Sequence, residues 1–165
     1  MNKVQGKQTA YAPIKDDGTR IIIRYAQQPV EGTNDATWLE VYLNKKQHNA
    51  LTLQDVKAAI IADINDRTRE AIIGGFVWEG KPVWLSEENQ LNFSTAQAPV
   101  TLKIGEQEDG TPVYHHFATA KALTDFWQTC VAWKHQCLTD GWTEKDAIDW
   151  APYEALFPKS EGVSE

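Results

Sequence analysis

Apolar and polar residues alternate along the first quarter of the chain with the two-residue period of a half-buried sheet. Ile21, Ile23 and Tyr25 fall on one side of a strand over Thr19 to Ala26, and Arg20, Ile22 and Arg24 on the other. Tyr11 to Lys15 is its expected hairpin partner. Asp16-Asp17-Gly18 supplies the turn, because glycine tolerates positive φ. Gln27 to Asp35 carries Pro, Gly and Asn and reads as a loop. Thr37 to Leu43 is a third strand, with Leu39, Val41 and Leu43 inward and Trp38, Glu40 and Tyr42 outward. Three strands with one apolar face need a cover, and the next segment supplies it. Residues 1 to 9 are polar and expected to fray.

From Thr52 the period changes to that of a helix. Leu53, Val56, Ile60, Ile64 and Ala71 form one stripe, and Thr52 with Asp55 matches a weak capping box. Gly74-Gly75 stops this helix near Ile72. Phe76 to Trp78 and Val83 to Leu85 read as an aromatic hairpin about Gly80. Ser86 to Asn92 is polar and is expected to start a short helical turn. Val100 to Ile104 and Val113 to Phe117 form a third hairpin whose turn pivots on Asp109-Gly110. Thr119 caps a last long helix, Ala120 to Asp140, with Leu123, Phe126, Trp127, Cys130, Val131, Cys137 and Leu138 as its stripe. Gly141 is read as its end, followed by a short helix, Glu144 to Trp150, which Pro152 closes.

The pattern specifies an α+β fold of short antiparallel β-hairpins and a meander packed with two main amphipathic helices. It divides into a β-meander subdomain over residues 1–44, an α+β domain over 45–157 and a polar tail over 158–165. With 165 residues, 42% of them hydrophobic, there is material for a core. A net charge of −7 repels phosphates and argues against nucleic acid. No apolar run approaches the roughly 20 residues of a membrane helix, and the first residues lack a signal-peptide core. The expected compartment is the cytoplasm. Cys130 and Cys137 stand seven positions apart on a helix, about 10.5 Å of rise, too far for a disulfide. Both read as reduced core thiols.

Candidate chemistry is sparse. No CxxC, HExxH or HxH spacing exists, and His115 and His116, neighbours on a strand, face opposite ways. No metal site and no cofactor are expected. Asp63, Asp66 and Glu70 read as a solvated helix face, with Asp63 set to pair with Arg67. Glu87-Glu88 beside Trp84 reads as an ordinary polar loop. Ser86 lacks the nucleophile-elbow glycines. No catalytic residue is assigned. The aromatic residues Trp38, Tyr42, Trp78 and Trp84 are the candidate interaction surface, for a protein or for a sugar ring. Folding alone also explains them, since a large ring is most often core.

One resemblance adds to this reading. An amphipathic helix ending Ile64 to Glu70, then GGFVWEGKPVWLSEENQLNF, a Pro-Val strand from Pro99, an Asp-Gly turn and GWTEKDAIDW resemble an uncharacterised domain family. That family occurs within or beside tail-fibre and tail-assembly proteins of phages and prophages, and as stand-alone proteins of Bacteroidetes-type prophages. The resembling region is about residues 51 to 154. It implies a non-enzymatic structural protein in tail structure or assembly, acting by protein–protein contact or self-association, in the prophage host or the virion. A small carbohydrate-binding module with an exposed Trp platform is the alternative.

Overall fold

A computed structural model describes residues 3–48 and 50–157. The fold is α+β, with antiparallel sheets and four α-helices among the described residues. The chain divides into two compact units, residues 1–64 with 144–165, and residues 65–143. This division differs from a boundary at 44/45. The tail read for 158–165 lies outside the described residues.

The first unit is built on a four-stranded antiparallel sheet. Its strands are β1 (Lys3–Lys7), β2 (Ile14–Asp16), β3 (Arg20–Pro29) and β4 (Asp35–Asn44), in the order β1-β4-β3-β2. The fraying expected of the N-terminus is therefore corrected, since Lys3 to Lys7 pairs residue by residue with Leu39 to Asp35. The segment lacks apolar alternation because it is an edge strand. Lysines at both ends suit an edge, where they oppose further strand addition. The loop expected over Gln27 to Asp35 is shorter than read, because strand structure extends to Pro29 and resumes at Asp35.

Helix α1 (Leu53–Gly74) begins in this unit. Its capping box is formed: the Asp55 N–H donates to Thr52 Oγ1 at 3.1 Å, and the Thr52 N–H to Asp55 Oδ2 at 2.9 Å. Val56, Ile60 and Ile64 on α1 pack against Ile21, Ile23 and Tyr25 of β3 as one core cluster, joined by Tyr153.

The second unit has two hairpins and two helices. In the first, β5 (Phe76–Trp78) and β6 (Lys81–Val83) are joined by Glu79 and Gly80, at φ 49° and 75°. Two successive positive φ values match the twist of the flanking strands. Helix α2 (Glu87–Thr95) follows, with Ser86 as N-cap accepting from the Asn89 N–H. β7 (Val100–Glu106) and β8 (Pro112–Phe117) form the other hairpin. The Trp84 N–H donates to the Ile104 carbonyl at 2.8 Å and links the two hairpins. The approach is close: a Cβ on Gly105 would lie 2.2 Å from the Pro82 carbonyl oxygen.

Helix α3 (Ala120–Asp146) contributes Leu123, Phe126 and Cys130 to this unit's core. It runs unbroken through Gly141, which corrects both the stop expected there and the separate helix expected over Glu144 to Trp150. Gly141 is buried, and a Cβ on it would stand 2.3 Å from Thr68 Oγ1. The glycine is a point of close helix contact rather than a cap. A final short helix α4 (Ala151–Glu154) carries Pro152 in its first turn, where the missing N–H costs little.

Candidate functional site

The side of the β3–β4 sheet turned away from α1 was read as solvent-facing. It holds the main buried charge of the described residues instead. Glu40 is buried and accepts three hydrogen bonds, from Trp38 Nε1 at 3.1 Å, Arg24 Nε at 2.9 Å and the Tyr42 hydroxyl at 2.7 Å. The Arg24 guanidinium lies over the Trp38 ring, 5.1 Å from its centroid, and that of Arg20 over Tyr42 at 4.8 Å. Burial pushes the Glu40 carboxyl up, but the three donors outweigh it and hold the group below its ordinary range. Gly6 on β1 leaves room for the Trp38 ring, since a Cβ there would come within 2.8 Å of Cη2. Tyr11 meets the same ring edge-on at 5.7 Å.

Beside this cluster the first unit has a cleft of about 620 Å³. Tyr11, Tyr25, Trp38 and Tyr153 supply its rings, and Gln28 and Asp149 are among its polar lining. One wall is a β-bulge. Register passes from Tyr25↔Leu39 to Gln28↔Thr37, so Ala26 and Gln27 together oppose Trp38. Ala26 adopts φ 52°, a left-handed conformation costly for a residue with a Cβ. Two phenols converge on one backbone oxygen: the Tyr11 hydroxyl donates to the Arg24 carbonyl at 2.9 Å, and the Tyr153 hydroxyl to the same atom. The Tyr25 hydroxyl donates to Asp63 Oδ2. Burial pushes the Tyr11 and Tyr153 phenols up, and the Asp149 carboxylate pushes both further, so both stay protonated well above neutral pH.

In the second unit, Phe76, Trp78 and Val83 turn inward, while Val77, Pro82 and Trp84 turn out. On β8, Val113 and Phe117 are core, and Tyr114 and His116 lie on the opposite side. Lys81 Nζ donates to His115 Nδ1 at 3.2 Å, while His116 meets Thr101 Oγ1 on the other face. Burial lowers the His115 pKa, aided by the Lys81 charge, which keeps the ring neutral. The Cys130 thiol is pushed up to about 12 by burial, which makes it inert as a nucleophile at neutral pH.

A family described as a domain of unknown function (DUF4376) matches residues 55–160. The chain belongs to the DUF4376 family. Comparison with curated proteins and with solved structures finds no match. The DUF4376 region takes in α1 to α4 and β5 to β8, and leaves the four strands of the first sheet outside it. The cleft is thus shared: Asp149 and Tyr153 come from the DUF4376 region, and Tyr11, Ala26 and Trp38 from the strands before it.

The four aromatic residues read as an interaction surface separate on this structure. Trp38 is 4% exposed, so its placement on an outward surface is corrected. Arg24 and Tyr11 lie against the Trp38 ring on the face that periodicity assigned to water, and Gly6 on the neighbouring strand leaves it room. Trp78 is partly buried, edge-on to Phe126 and to His115 at 4.8 Å each, and belongs to the core. Tyr42 is 37% exposed with its hydroxyl tied to Glu40. Trp84 is 40% exposed. Trp38 and Tyr42 belong to the first unit, Trp78 and Trp84 to the second. The cleft escaped the sequence reading because its parts lie far apart in the chain. Only Pro-Tyr after the Asp-Trp pair, in a segment read as helix-breaking, hinted that Tyr153 is core.

Proposed function

We propose that the chain is a non-catalytic interaction protein of phage or prophage tail structure or assembly, acting on a tail protein or on a second copy of itself in the bacterial cytoplasm or the virion. The carrying observation is the outward side of the second unit's strands. Val77 is 62% exposed, Tyr114 59% and Trp84 40%; Val77 and Trp84 turn out of the first hairpin and Tyr114 out of the second. Large apolar groups on one side of neighbouring strands mark an interaction surface more often than they serve the monomer. Tyr and Trp are the side chains that anchor interfaces. Two further observations support binding over chemistry. The buried carboxylate Glu40 is saturated by donors from its own sheet. The buried thiol Cys130 is held protonated. The tail context rests on the sequence resemblance around GGFVWEGKPVWLSEENQLNF, which includes Trp84.

The test is co-expression with the tail-fibre protein of the same phage or prophage, followed by size-exclusion chromatography with light scattering. The expected result is a co-eluting complex or a homo-oligomer that W84S together with Y114S dissolves, with the far-UV spectrum unchanged. A chain that stays monomeric and elutes apart from the tail protein at micromolar concentration overturns the proposal.

A further inference from the structure

The cleft of the first unit has a hydrogen-bonding bias that names its ligand. The Tyr11 and Tyr153 hydroxyls both have the Arg24 carbonyl as partner. Each phenol proton is thus spent on that backbone oxygen. A phenol has one proton and two lone pairs, so what these two groups keep for a ligand is acceptor capacity. Asp149 adds a carboxylate to the same lining. One of its oxygens accepts the Ala151 N–H at 3.0 Å, which leaves the second for a ligand. Beside the rings of Tyr25 and Trp38 the lining carries a second carboxylate, Glu144, together with Lys3, Gln28 and Thr37. Spent phenol protons, a carboxylate and aromatic rings together suit a group that only donates and carries positive charge.

The geometry points to an organic cation, a guanidinium or alkylammonium, as the ligand of this cleft. It would be held by Asp149 and the phenol oxygens of Tyr11 and Tyr153. A guanidinium brings five donors in a plane and packs against aromatic rings. A ligand that must receive hydrogen bonds, such as a phosphate, finds Lys3 as the cation of the lining and faces the Asp149 charge. The volume, about 620 Å³, is ample for an arginine-sized side chain. This site is independent of the strand face that carries the proposed partner contact.

The test is NMR titration of the ¹⁵N-labelled full chain, following the Trp38 indole N–H. The probes are agmatine, a blocked Gly-Arg-Gly peptide, its citrulline counterpart and a neutral disaccharide. Saturable shifts with agmatine or the arginine peptide, absent with citrulline, support the site. Agmatine alone marks a free cation as the source, and the peptide alone marks a polypeptide side chain. Asp149→Asn keeps the cap on Ala151 and should weaken binding about tenfold, the loss of one charge-assisted hydrogen bond. Tyr11→Phe leaves Tyr153 on the Arg24 carbonyl and should weaken it severalfold. Citrulline binding as well as arginine, the disaccharide binding in preference to both cations, no shift with either cation, or unchanged affinity in D149N overturns the inference.

Discussion

At the residue scale, Glu40 and Trp38 show how an alternating strand misleads. The pattern Trp38-Leu39-Glu40-Val41-Tyr42 has a clear apolar side, and that side does face α1. What the pattern omits is the packing of Arg24 and Tyr11 on the Trp38 ring, which lies across Gly6 of the polar edge strand. A carboxylate on that covered side must be paired, and Glu40 is. Glu40→Ala leaves Arg24 with a lost partner in a buried setting, so a loss of about 3–5 kcal/mol in urea denaturation is expected. Replacing the pair together, with Arg24→Met and Glu40→Leu, should recover most of it, because both desolvation costs then vanish. The pH dependence has a definite sign. The folded pKa of Glu40 lies below its ordinary 4.5, so its contribution is complete above that value and fades as pH falls through the folded pKa. Glu40→Gln should flatten the acid limb of the stability–pH curve. The thiols obey the same logic of burial. With a pKa of about 12, native Cys130 carries on the order of 10⁻⁴ thiolate at pH 8. Iodoacetamide should label it only on unfolding, and rapid labelling of the folded chain would contradict its placement.

At the element scale, the hairpins, α1 and its cap were legible because turn and cap chemistry is local. Asp-Gly and Glu-Gly pairs need positive φ, and Thr52 with Asp55 needs only one turn of helix. Gly141 was misread because glycine has two uses that look alike in sequence. It ends a helix, or it lets another element come close, and the neighbour that decides, Thr68, lies far away in the chain. Gly105 is the second kind on a strand. Gly105→Ala drives a methyl into the Pro82 carbonyl and should cost about 1–3 kcal/mol, read as a lower urea midpoint. The β5–β6 turn offers the opposite change. Glu79 sits at φ 49° beside Gly80, a pair of positions that asparagine and glycine fill best. Glu79→Asn should raise the melting temperature, gaining about 0.5–1 kcal/mol. A lower melting temperature would show that the glutamate side chain has a compensating role.

At the scale of the whole molecule, the division into units was not legible, and the reason is physical. Boundaries are sought in Pro-, Gly- or polar-rich linkers, but both changes of unit here fall inside helices, after Ile64 in α1 and after Thr143 in α3. Nothing in a helix's composition marks where its partners change. Each unit nonetheless has its own core. The cluster of Phe76, Val83, Leu85, Phe93, Ile104, Val113, Phe117, Leu123, Phe126 and Cys130 lies wholly within residues 65–143. The other cluster draws on residues before 65 and on Ile148, Trp150, Tyr153 and Phe157. A core closed within one continuous segment leads to an expectation about that segment alone. A fragment of residues 65–143 should unfold cooperatively in urea with a dependence on denaturant about half that of the full chain, in proportion to the surface exposed. Its Trp78 and Trp133 indole signals should stay dispersed, because the rings they pack on, Phe126 and Phe76, are all present. A fragment with helical far-UV signal, collapsed Trp dispersion and strong dye binding would be a loosely packed state. In that case the core of residues 65–143 is not sufficient by itself to fix its own packing.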